Sequence, residues 1–305
     1  MISDRDIQIS VVALALQRRE RLSASAVSIL LAQWRSETRQ VLTIDEALDL
    51  AQVPRSSIAG SISDAARDIE RGLKASVFPI PISSDLYPDS LRTISDAPPV
   101  IFFRGNLEVL KSIPGVAVVG TRKASPHGLL ISSRLAEHIS TNGWVVVSGL
   151  ALGIDAAAHE GALRGGMPTI AVLAHGLEKA QPIANQPLAQ RILDANGAWI
   201  SEHALGIPAK PAHFVWRNRI QVGLSCASVI VEGEEKSGSA TQAEFCLRNR
   251  RTLFAVMPEP GSRVATVSAL PKMLVSKRGA HPIFSKADYP SMMGMIKNAV
   301  DQLRR

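Results

Sequence analysis

The sequence has few cysteines, few aromatic residues and no long apolar run. Of its 305 residues two are cysteines, and only 4% are Phe, Trp or Tyr. Cys226 and Cys246 are too few, and wrongly spaced, for a disulfide framework or a zinc site, so we expect both to be buried as small apolar residues. No apolar stretch is long enough to cross a membrane, and the N-terminus lacks the pattern of a secretion signal. These absences predict a cytoplasmic protein without membrane contact.

The positive charge of the chain is unevenly distributed. The formal net charge is +7, and 46% of the residues are apolar, which is enough for a sizeable core. Residues 1–75 hold ten basic and ten acidic residues, so the whole excess lies in residues 76–305. A basic excess confined to one segment favours an anionic partner.

The first 75 residues have apolar residues at helical spacing and predict a small all-helical N-terminal module. Thr43 and Glu46 form a capping-box pattern at the start of one of its helices. The predicted helices are Asp4–Arg19, Ser23–Trp34, Thr43–Ala51 and Ser56–Leu73. No motif in this module suggests chemistry, and we expect it to pack against the rest of the chain or to contact a partner.

From residue 76 onward, short apolar runs alternate with stretches of helix length. The apolar runs are 77–82, 99–105, 115–120, 144–149, 168–174, 198–201, 227–233 and 252–258. The helical stretches are Pro126–Asn142, Ile154–Arg164, Gln186–Asn196, Phe214–Leu224 and Ser239–Asn249. Because the runs are apolar throughout, they predict a mostly parallel sheet with helices on both faces. We therefore predict a doubly wound α/β domain over 76–305, with its core at 98–260, an edge strand near 281–284 and a closing helix at 287–304.

Three loops rich in glycine and serine follow predicted strands and lead into helices. They are Gly120–Gly128, Ser148–His159 and Gly233–Thr241. In open parallel sheets, ligands bind beyond the carboxyl ends of the strands, where helix N-termini present unpaired N–H groups. Arg122, Lys123 and Lys236 add positive charge there, so the pattern predicts a phosphate-binding rim. No G-x-G-x-x-G begins at Gly120, and Ser148 stands where an acidic residue would bind a ribose, which disfavours a dinucleotide.

Asp155 and His159 lie four residues apart on a predicted helix and so share a face. They could act as an acid–base pair, but we favour a structural interpretation. In that interpretation Asp155 stabilises the first helical turn and His159 joins a buried hydrogen-bond network. The sequence contains no nucleophile elbow, Walker loop or zinc-protease motif. It therefore predicts a binding surface more plainly than an active site, and it calls for no cofactor.

The segment FVWRNR, residues 214–219, places two arginines at the head of the predicted helix Phe214–Leu224. Positive side chains oppose the dipole at a helix N-terminus, and a bound phosphate would compensate them. Arg217 and Arg219 are two residues apart and cannot share a helical face. We expect Arg217 to contact phosphate and Arg219 to make a supporting or dimer contact.

Three stretches of the sequence together resemble the DprA/Smf family of DNA-processing proteins. They are VAVVGTRKASPHG (116–128), SGLALGIDAAAHEGAL (148–163) with TIAVLAHGL (169–177), and FVWRNRIQVGLSCASVIVEGEEKSGSA (214–240). Residues 85–106 also match that family's lead-in to its Rossmann-like domain. The likeness covers roughly residues 80–260, in order and at consistent spacing.

The resemblance implies a Rossmann-like protein that binds single-stranded DNA across the positive edge of its sheet, chiefly through phosphates. It also implies a homodimer that loads the RecA recombinase during natural transformation. Arginine suits phosphate oxygens, and an aromatic face stacks on any base, which permits binding without sequence preference. Together with the basic and capping residues of the first loop, the predicted site consists of Gly120, Thr121, Arg122, Lys123, Ser125, Ser148, Gly149, Phe214, Arg217, Asn218, Arg219, Lys236, Ser237, Gly238 and Ser239.

The chain departs from the family pattern at several positions. Val215 replaces the proline of F-P-x-R-N-R, Trp216 adds an aromatic residue, and Gln242 stands where a threonine is expected. We also expect no winged-helix domain, although many relatives carry one.

Two other functions stay open. KSGSATQAE, residues 236–244, is similar to a loop of nucleotide phosphoribohydrolases, and Thr241 and Glu244 fit that pattern. The chain could therefore be a nucleotide-binding or nucleotide-hydrolysing enzyme. It could also keep the DNA-binding scaffold and act in phage defence or as an antitoxin-like regulator.

Overall fold

The computed structural model of the chain describes residues 2–18, 23–37, 43–50, 53–258 and 267–303. The helix ends predicted at Arg19, Ala51 and residue 304, and the core boundary predicted at residue 260, lie outside these residues. The strands are β1 (Phe78–Pro81), β2 (Val100–Gly105), β3 (Gly115–Val119), β4 (Val146–Ser148), β5 (Thr169–Val172), β6 (Ala198–Ser201), β7 (Ser225–Ile230), β8 (Thr252–Val256) and β9 (His281–Ile283).

The helices occupy most of the segments between these strands. Within the described residues they are α1 (Asp4–Arg18), α2 (Ala24–Glu37), α3 (Ile44–Leu50), α4 (Arg55–Lys74), α5 (Asp89–Arg92), α6 (Pro126–Thr141), α7 (Ile154–Gly165), α8 (Gln186–Asp194), α9 (Pro211–Gly223), α10 (Gly238–Arg248), α11 (Ala269–Arg278) and α12 (Tyr289–Leu303). Short 3₁₀ turns lie at Leu107–Ser112, Ile183–Asn185 and Lys286–Asp288.

The described strands form one sheet in the order β1-β2-β6-β5-β4-β3-β7-β8-β9. Strands β3 to β9 pair in parallel. From β3 the chain winds outward through β4, β5 and β6, and it then returns to the other side of β3 for β7, β8 and β9. The predicted doubly wound, mostly parallel sheet is confirmed, and its order reverses between β3 and β7. That reversal is the point at which such sheets bind ligands.

Near one edge of the sheet, β2 alone runs against the other strands, and β1 beyond it has the direction of the rest. β1 pairs antiparallel with β2, and β2 pairs antiparallel with β6. Between β1 and β2 the chain forms the short helix α5, of four residues, and no long crossover helix. The apolar pattern did not reveal this direction, because β2 is buried along most of its length like the parallel strands.

The N-terminal helices pack against this antiparallel edge. Ile9 and Leu16 of α1, and Ile69 of α4, belong to the same buried apolar cluster as Ile80 of β1 and Phe103 of β2. α1 lies against both α4 and β1. The helical module therefore shares a core with the sheet, and a division of the chain at residue 75 stays a prediction.

We predict that Leu16→Ala destabilises the whole protein by about 2–5 kcal/mol, because it removes a fully buried side chain from the shared cluster. The measurement is the free energy of unfolding from urea titration, followed by tryptophan fluorescence. Ile29→Ala is the matched control, since Ile29 is 63% exposed and its truncation should change stability by less than about 0.5 kcal/mol. Equal effects of the two substitutions would contradict a shared core.

Candidate functional site

A cleft of about 290 Å³ lies at the carboxyl edge of the sheet, at the reversal between β3 and β7. The loops after β3, β4 and β7 meet there with one face of α9. Its lining residues are Val119, Gly120, Thr121, Arg122, Lys123, Ala151, Asp155, Phe214, Val215, Arg217, Asn218, Gln221, Ser237, Gly238, Ser239 and Gln242. The helices α6, α7 and α10 all begin in the loops that form this edge.

The loop after β3 is fixed by a buried carboxylate on the neighbouring strand segment. Glu232, just beyond β7, accepts hydrogen bonds from the backbone N–H of Ser125 at 2.9 Å and from its hydroxyl at 2.6 Å. It also accepts from the backbone N–H of Val267 at 3.2 Å, and its own carbonyl oxygen accepts from the N–H of Thr121 at 2.8 Å. A side chain at Gly128 would collide with the Glu232 carboxylate. Glu232 thus holds both ends of the loop.

Sequence reasoning missed Glu232. The sequence did contain a signal: a glutamate at the end of the apolar run VIVEG is expected to be buried, and a buried carboxylate needs hydrogen-bond partners. Ser125 itself caps α6 by accepting from the N–H of Gly128 at 2.9 Å. Ser125 therefore shapes the loop and does not line the cleft.

Arg122 and Lys123 stand exposed on one wall of the cleft. The guanidinium carbon of Arg122 lies 4.9 Å from the centre of the Phe214 ring, which belongs to the opposite wall on α9. A cation held over an aromatic face keeps its position while its N–H groups stay available to solvent or to an anion. The two walls of the cleft thus combine positive charge with an aromatic surface.

Arg217 forms the floor of the cleft and is 6% exposed. Its Nη1 donates to the carbonyl oxygen of Val172, at the end of β5, at 2.6 Å. A side chain at Gly149 would collide with this guanidinium, so glycine lets the loop after β4 pass over Arg217 in its present position. Burial lowers the pKa of Arg217, and the neighbouring Asp155 carboxylate raises it.

Asp155 is the negative partner at the floor. It lies in the first turn of α7, and its Oδ2 accepts from the backbone N–H of Gly149 at 3.1 Å. Burial raises the pKa of this carboxyl, while the Arg217 charge and three backbone N–H groups lower it. His159 lies on the same helix, but its Nδ1 contacts the Thr169 hydroxyl at 2.9 Å. Burial and the Arg217 charge lower the pKa of His159 to about 3, so it is neutral and structural, as we favoured.

The loop after β7 is tied to α9 through Asn218. The side-chain N–H of Asn218 donates to the carbonyl oxygen of Gly238 at 2.9 Å. Ser237 caps α10, and its hydroxyl donates to the backbone carbonyl oxygen of Glu234 at 2.6 Å. Ser237, Gly238 and Ser239 line the cleft, whereas Lys236 is exposed beside them and does not.

Arg219 lies on another face of α9, away from the cleft. Its Nη1 and Nη2 donate to the two carboxylate oxygens of Glu202 at 2.9 and 2.7 Å. Its Nε donates to the backbone oxygen of Asp96 at 2.8 Å, and the guanidinium lies 5.6 Å from the ring of Trp216. Of the two arginines, only Arg217 lines the cleft.

The predicted start of this helix was wrong. α9 begins at Pro211, three residues before Phe214, so Arg217 and Arg219 are its seventh and ninth residues, in the second and third turns. They therefore do not oppose the dipole at the helix N-terminus. Their charges are stabilised by other groups: Asp155 lies near Arg217, and Glu202 pairs with Arg219. Proline suits a first helical position, and the pattern PAHF contained this signal.

Ser148 is also placed away from the cleft. It is fully buried and donates its hydroxyl to the carbonyl oxygen of Val118 at 2.7 Å, which ties β4 to β3. Glu244, the candidate hydrolytic residue, lies on the exposed side of α10 and pairs with Arg278 at 2.7 Å. The structure therefore does not bring Glu244 to the cleft.

No group of three or more metal-binding side chains occurs among the residues that the structure describes. Cys226 and Cys246 are buried and unpaired with each other, as predicted, and burial raises the pKa of each thiol to about 12. In the same described part of the chain, no helix combines the length and apolar character that a membrane crossing requires.

In the broad class of doubly wound α/β proteins, phosphate-containing ligands commonly bind at the sheet reversal, and this chain carries a basic cleft there. A family model described as DNA recombination-mediator protein A matches residues 79–294. The DNA processing protein DprA of Bacillus subtilis is 33% identical over 267 residues, which cover 86% of this chain and 88% of that protein. The chain belongs to the DprA/Smf family of DNA-processing proteins, as the sequence motifs predicted.

Two solved structures extend this comparison. The X-ray structure of DprA from Streptococcus pneumoniae aligns with a TM-score of 0.66 at 30% identity, over 94% of this chain and 92% of that one. DNA processing protein A from Helicobacter pylori aligns with a TM-score of 0.60 at 29% identity, over 68% of this chain and 92% of that one. The latter structure is described as showing a single-stranded DNA binding mode of the Helicobacter protein.

We predict that Arg219→Ala lowers the free energy of unfolding by about 3–5 kcal/mol, because it leaves the Glu202 carboxylate largely buried without its cation. Arg191→Ala is the matched control: its pair with Glu160 is exposed, so its removal should cost at most about 1 kcal/mol. Denaturant titrations of both variants test this. A cost for Arg219→Ala no larger than that of the control would show that the Glu202 pair does not support α9.

Proposed function

We propose that this chain binds single-stranded DNA in the cleft at the sheet reversal, and that Arg122, Lys123 and Arg217 hold the phosphates. The observation that carries this proposal is the convergence of these cations with the N-termini of α7 and α10 and the Phe214 ring in one cleft. The binding of single-stranded DNA by the Helicobacter relative supports it.

The side chains of the cleft walls suit single-stranded DNA of any base sequence. Arg122 and Lys123 are exposed and can follow a phosphate backbone, and the backbone N–H groups at the start of α10 add partial positive charge. A base that enters the cleft can stack on the Phe214 ring beside, or in place of, the Arg122 guanidinium, which lies over that ring. Phosphate contacts supply affinity and the aromatic residue supplies a sequence-tolerant contact.

We propose different roles for the two arginines of α9. Arg217 meets the ligand from the floor, and its charge is partly balanced by Asp155. Arg219 supports the helix through Glu202 and Asp96. Ser125, Ser148 and Lys236 do not line the cleft, so we propose structural parts for the two serines and an outer, electrostatic part for the lysine.

We propose that the chain acts as a DNA-binding protein and not as an enzyme, in the cytoplasm, as a homodimer that delivers single strands to the RecA recombinase during DNA uptake. Family membership supports this setting. The position of Glu244, paired with Arg278 outside the cleft, favours binding over nucleotide hydrolysis.

We predict that Arg122→Ala weakens binding to an unstructured oligonucleotide about tenfold, since it removes a charge-assisted phosphate contact. The slope of log K against log salt should fall in magnitude by about 0.7 for each phosphate that the substitution leaves without a cation. Fluorescence anisotropy over a series of salt concentrations measures both quantities. Arg217→Ala is less informative, because it also leaves Asp155 buried without its partner.

Arg248→Ala is the matched control for this experiment. Arg248 also lies over an aromatic ring, 5.2 Å from the centre of Phe245, but at the far end of α10 from the cleft. It should leave the affinity and the salt slope unchanged. Binding by the wild-type protein that does not depend on salt, or equal losses of affinity in the two variants, would refute a phosphate site in the cleft.

A further inference from the structure

Glu232 takes the place of a missing capping residue at the start of α6. Gly128 is the third residue of this helix, where a capping box carries a glutamate or glutamine that accepts from the N–H of the N-cap residue. Glu232 lies two residues beyond β7 and supplies that acceptor, since its Oε2 accepts from the N–H of the N-cap residue Ser125 at 2.9 Å. Gly128 leaves the space for it, because a Cβ there would lie 2.3 Å from the carboxylate.

The partners of the Glu232 carboxylate are all donors. The Ser125 hydroxyl accepts from the N–H of Gly128 at 2.9 Å, so its own proton points to the Oε1 of Glu232 at 2.6 Å. The backbone N–H of Val267 donates to the same oxygen at 3.2 Å. Each carboxylate oxygen therefore holds one backbone N–H. An amide at this position would turn its own N–H₂ group against one of these two donors, whichever way it were rotated.

Arg122 and Lys123 lie between the two points of the loop that Glu232 fixes. On one side, the carbonyl oxygen of Glu232 accepts from the N–H of Thr121 at 2.8 Å. On the other side, its carboxylate holds Ser125. Glu232 itself is 2% exposed and does not line the cleft, whereas Arg122 and Lys123 do.

We propose that Glu232 is a positioning residue for DNA binding: it holds the loop after β3 so that Arg122 and Lys123 stay in the wall of the cleft. This inference rests on the proposed binding of single-stranded DNA and adds to it a residue that does not touch the ligand. The loop would otherwise be fixed at Thr121 alone by this strand end. Its cations would then lose the fixed position from which they meet a phosphate.

The two effects that Glu232 has on the affinity for DNA differ in sign. Glu232→Gln keeps the shape of the side chain and makes the protein one unit more positive, which by itself strengthens the attraction of a polyanion. It also breaks a hydrogen bond that fixes the loop, which weakens the phosphate contact. We expect the second effect to prevail because the carboxylate is buried and Arg122 is exposed.

The test measures binding of an unstructured oligonucleotide by fluorescence anisotropy over a series of salt concentrations. Glu232→Gln should weaken binding on the order of fivefold, less than the loss expected for Arg122→Ala, because the loop keeps its bond at Thr121. The slope of log K against log salt should fall in magnitude as well, since Arg122 then neutralises its phosphate less completely.

Glu108→Gln is the control with the same change of charge. Glu108 lies in the 3₁₀ turn after β2, at the edge of the sheet opposite to the cleft, and pairs with Lys111 on the surface. Its substitution should not weaken binding. Gly128→Ala is an independent variant if Glu232→Gln does not fold, because its Cβ displaces the carboxylate without a change of charge. It should weaken binding in the same way, and urea titrations establish that each variant is folded under the assay conditions.

The double variant Arg122→Ala/Glu232→Gln separates positioning from a general loss of structure. If Glu232 acts through Arg122, the double variant should bind about as weakly as Arg122→Ala alone. Fully additive losses, or binding by folded Glu232→Gln and Gly128→Ala that equals or exceeds that of the wild-type protein, would overturn the positioning role and leave the phosphate site in place. Failure of the wild-type protein to bind the oligonucleotide at any salt concentration would refute the proposed function itself.

Discussion

The guanidinium of Arg217 holds together the segments that form the cleft. It donates to the end of β5 at Val172, lies against Gly149 after β4, and faces Asp155 at the start of α7. A buried cation is stable only when a negative partner and hydrogen-bond acceptors surround it. Because α9 carries Arg217, the same contacts fix the position of that helix over the sheet edge.

The groups around the floor of the cleft carry more positive than negative charge. Asp155 supports the charge of Arg217, but Arg122 lies close enough to lower the pKa of the same guanidinium. The N-termini of α6, α7 and α10 add partial positive charge to this edge. A phosphate group near Arg122 and Arg217 would reduce this mutual repulsion. The contacts that stabilise this part of the fold thus also concentrate positive charge in the cleft.

Successive residues of α9 serve different neighbours. Arg217 points to the floor, Asn218 joins α9 to the loop before α10, and Arg219 joins it to Glu202 and to the segment before β2 at Asp96. Gln221 extends the Asn218 contact into the cleft. One helix therefore carries both part of the cleft lining and the contacts that keep this lining in place.

Much of the fold was predictable because burial leaves a local pattern in the sequence. β3 is apolar at every position and buried at every position, and similar runs located the other parallel strands to within a few residues. Parallel strands joined by helices also place the loops after β3, β4 and β7 on one edge, so GTR, SG and SGS could be expected to lie together. The reversed direction of β2 left no such pattern, since an antiparallel strand that is covered on both faces is equally apolar.

The sequence by itself determined the class of fold, the family and the edge of the sheet at which the cleft lies, because these depend on local periodicity and on contiguous motifs. Only the tertiary structure decided which side chains of that edge face the cleft. Ser125 meets Glu232 across 107 residues of chain, and Arg219 meets Asp96 across 123. No local pattern encodes such partners. The two arginines of FVWRNR therefore look equivalent in the sequence, and their different neighbours make one the floor of the cleft and the other a support.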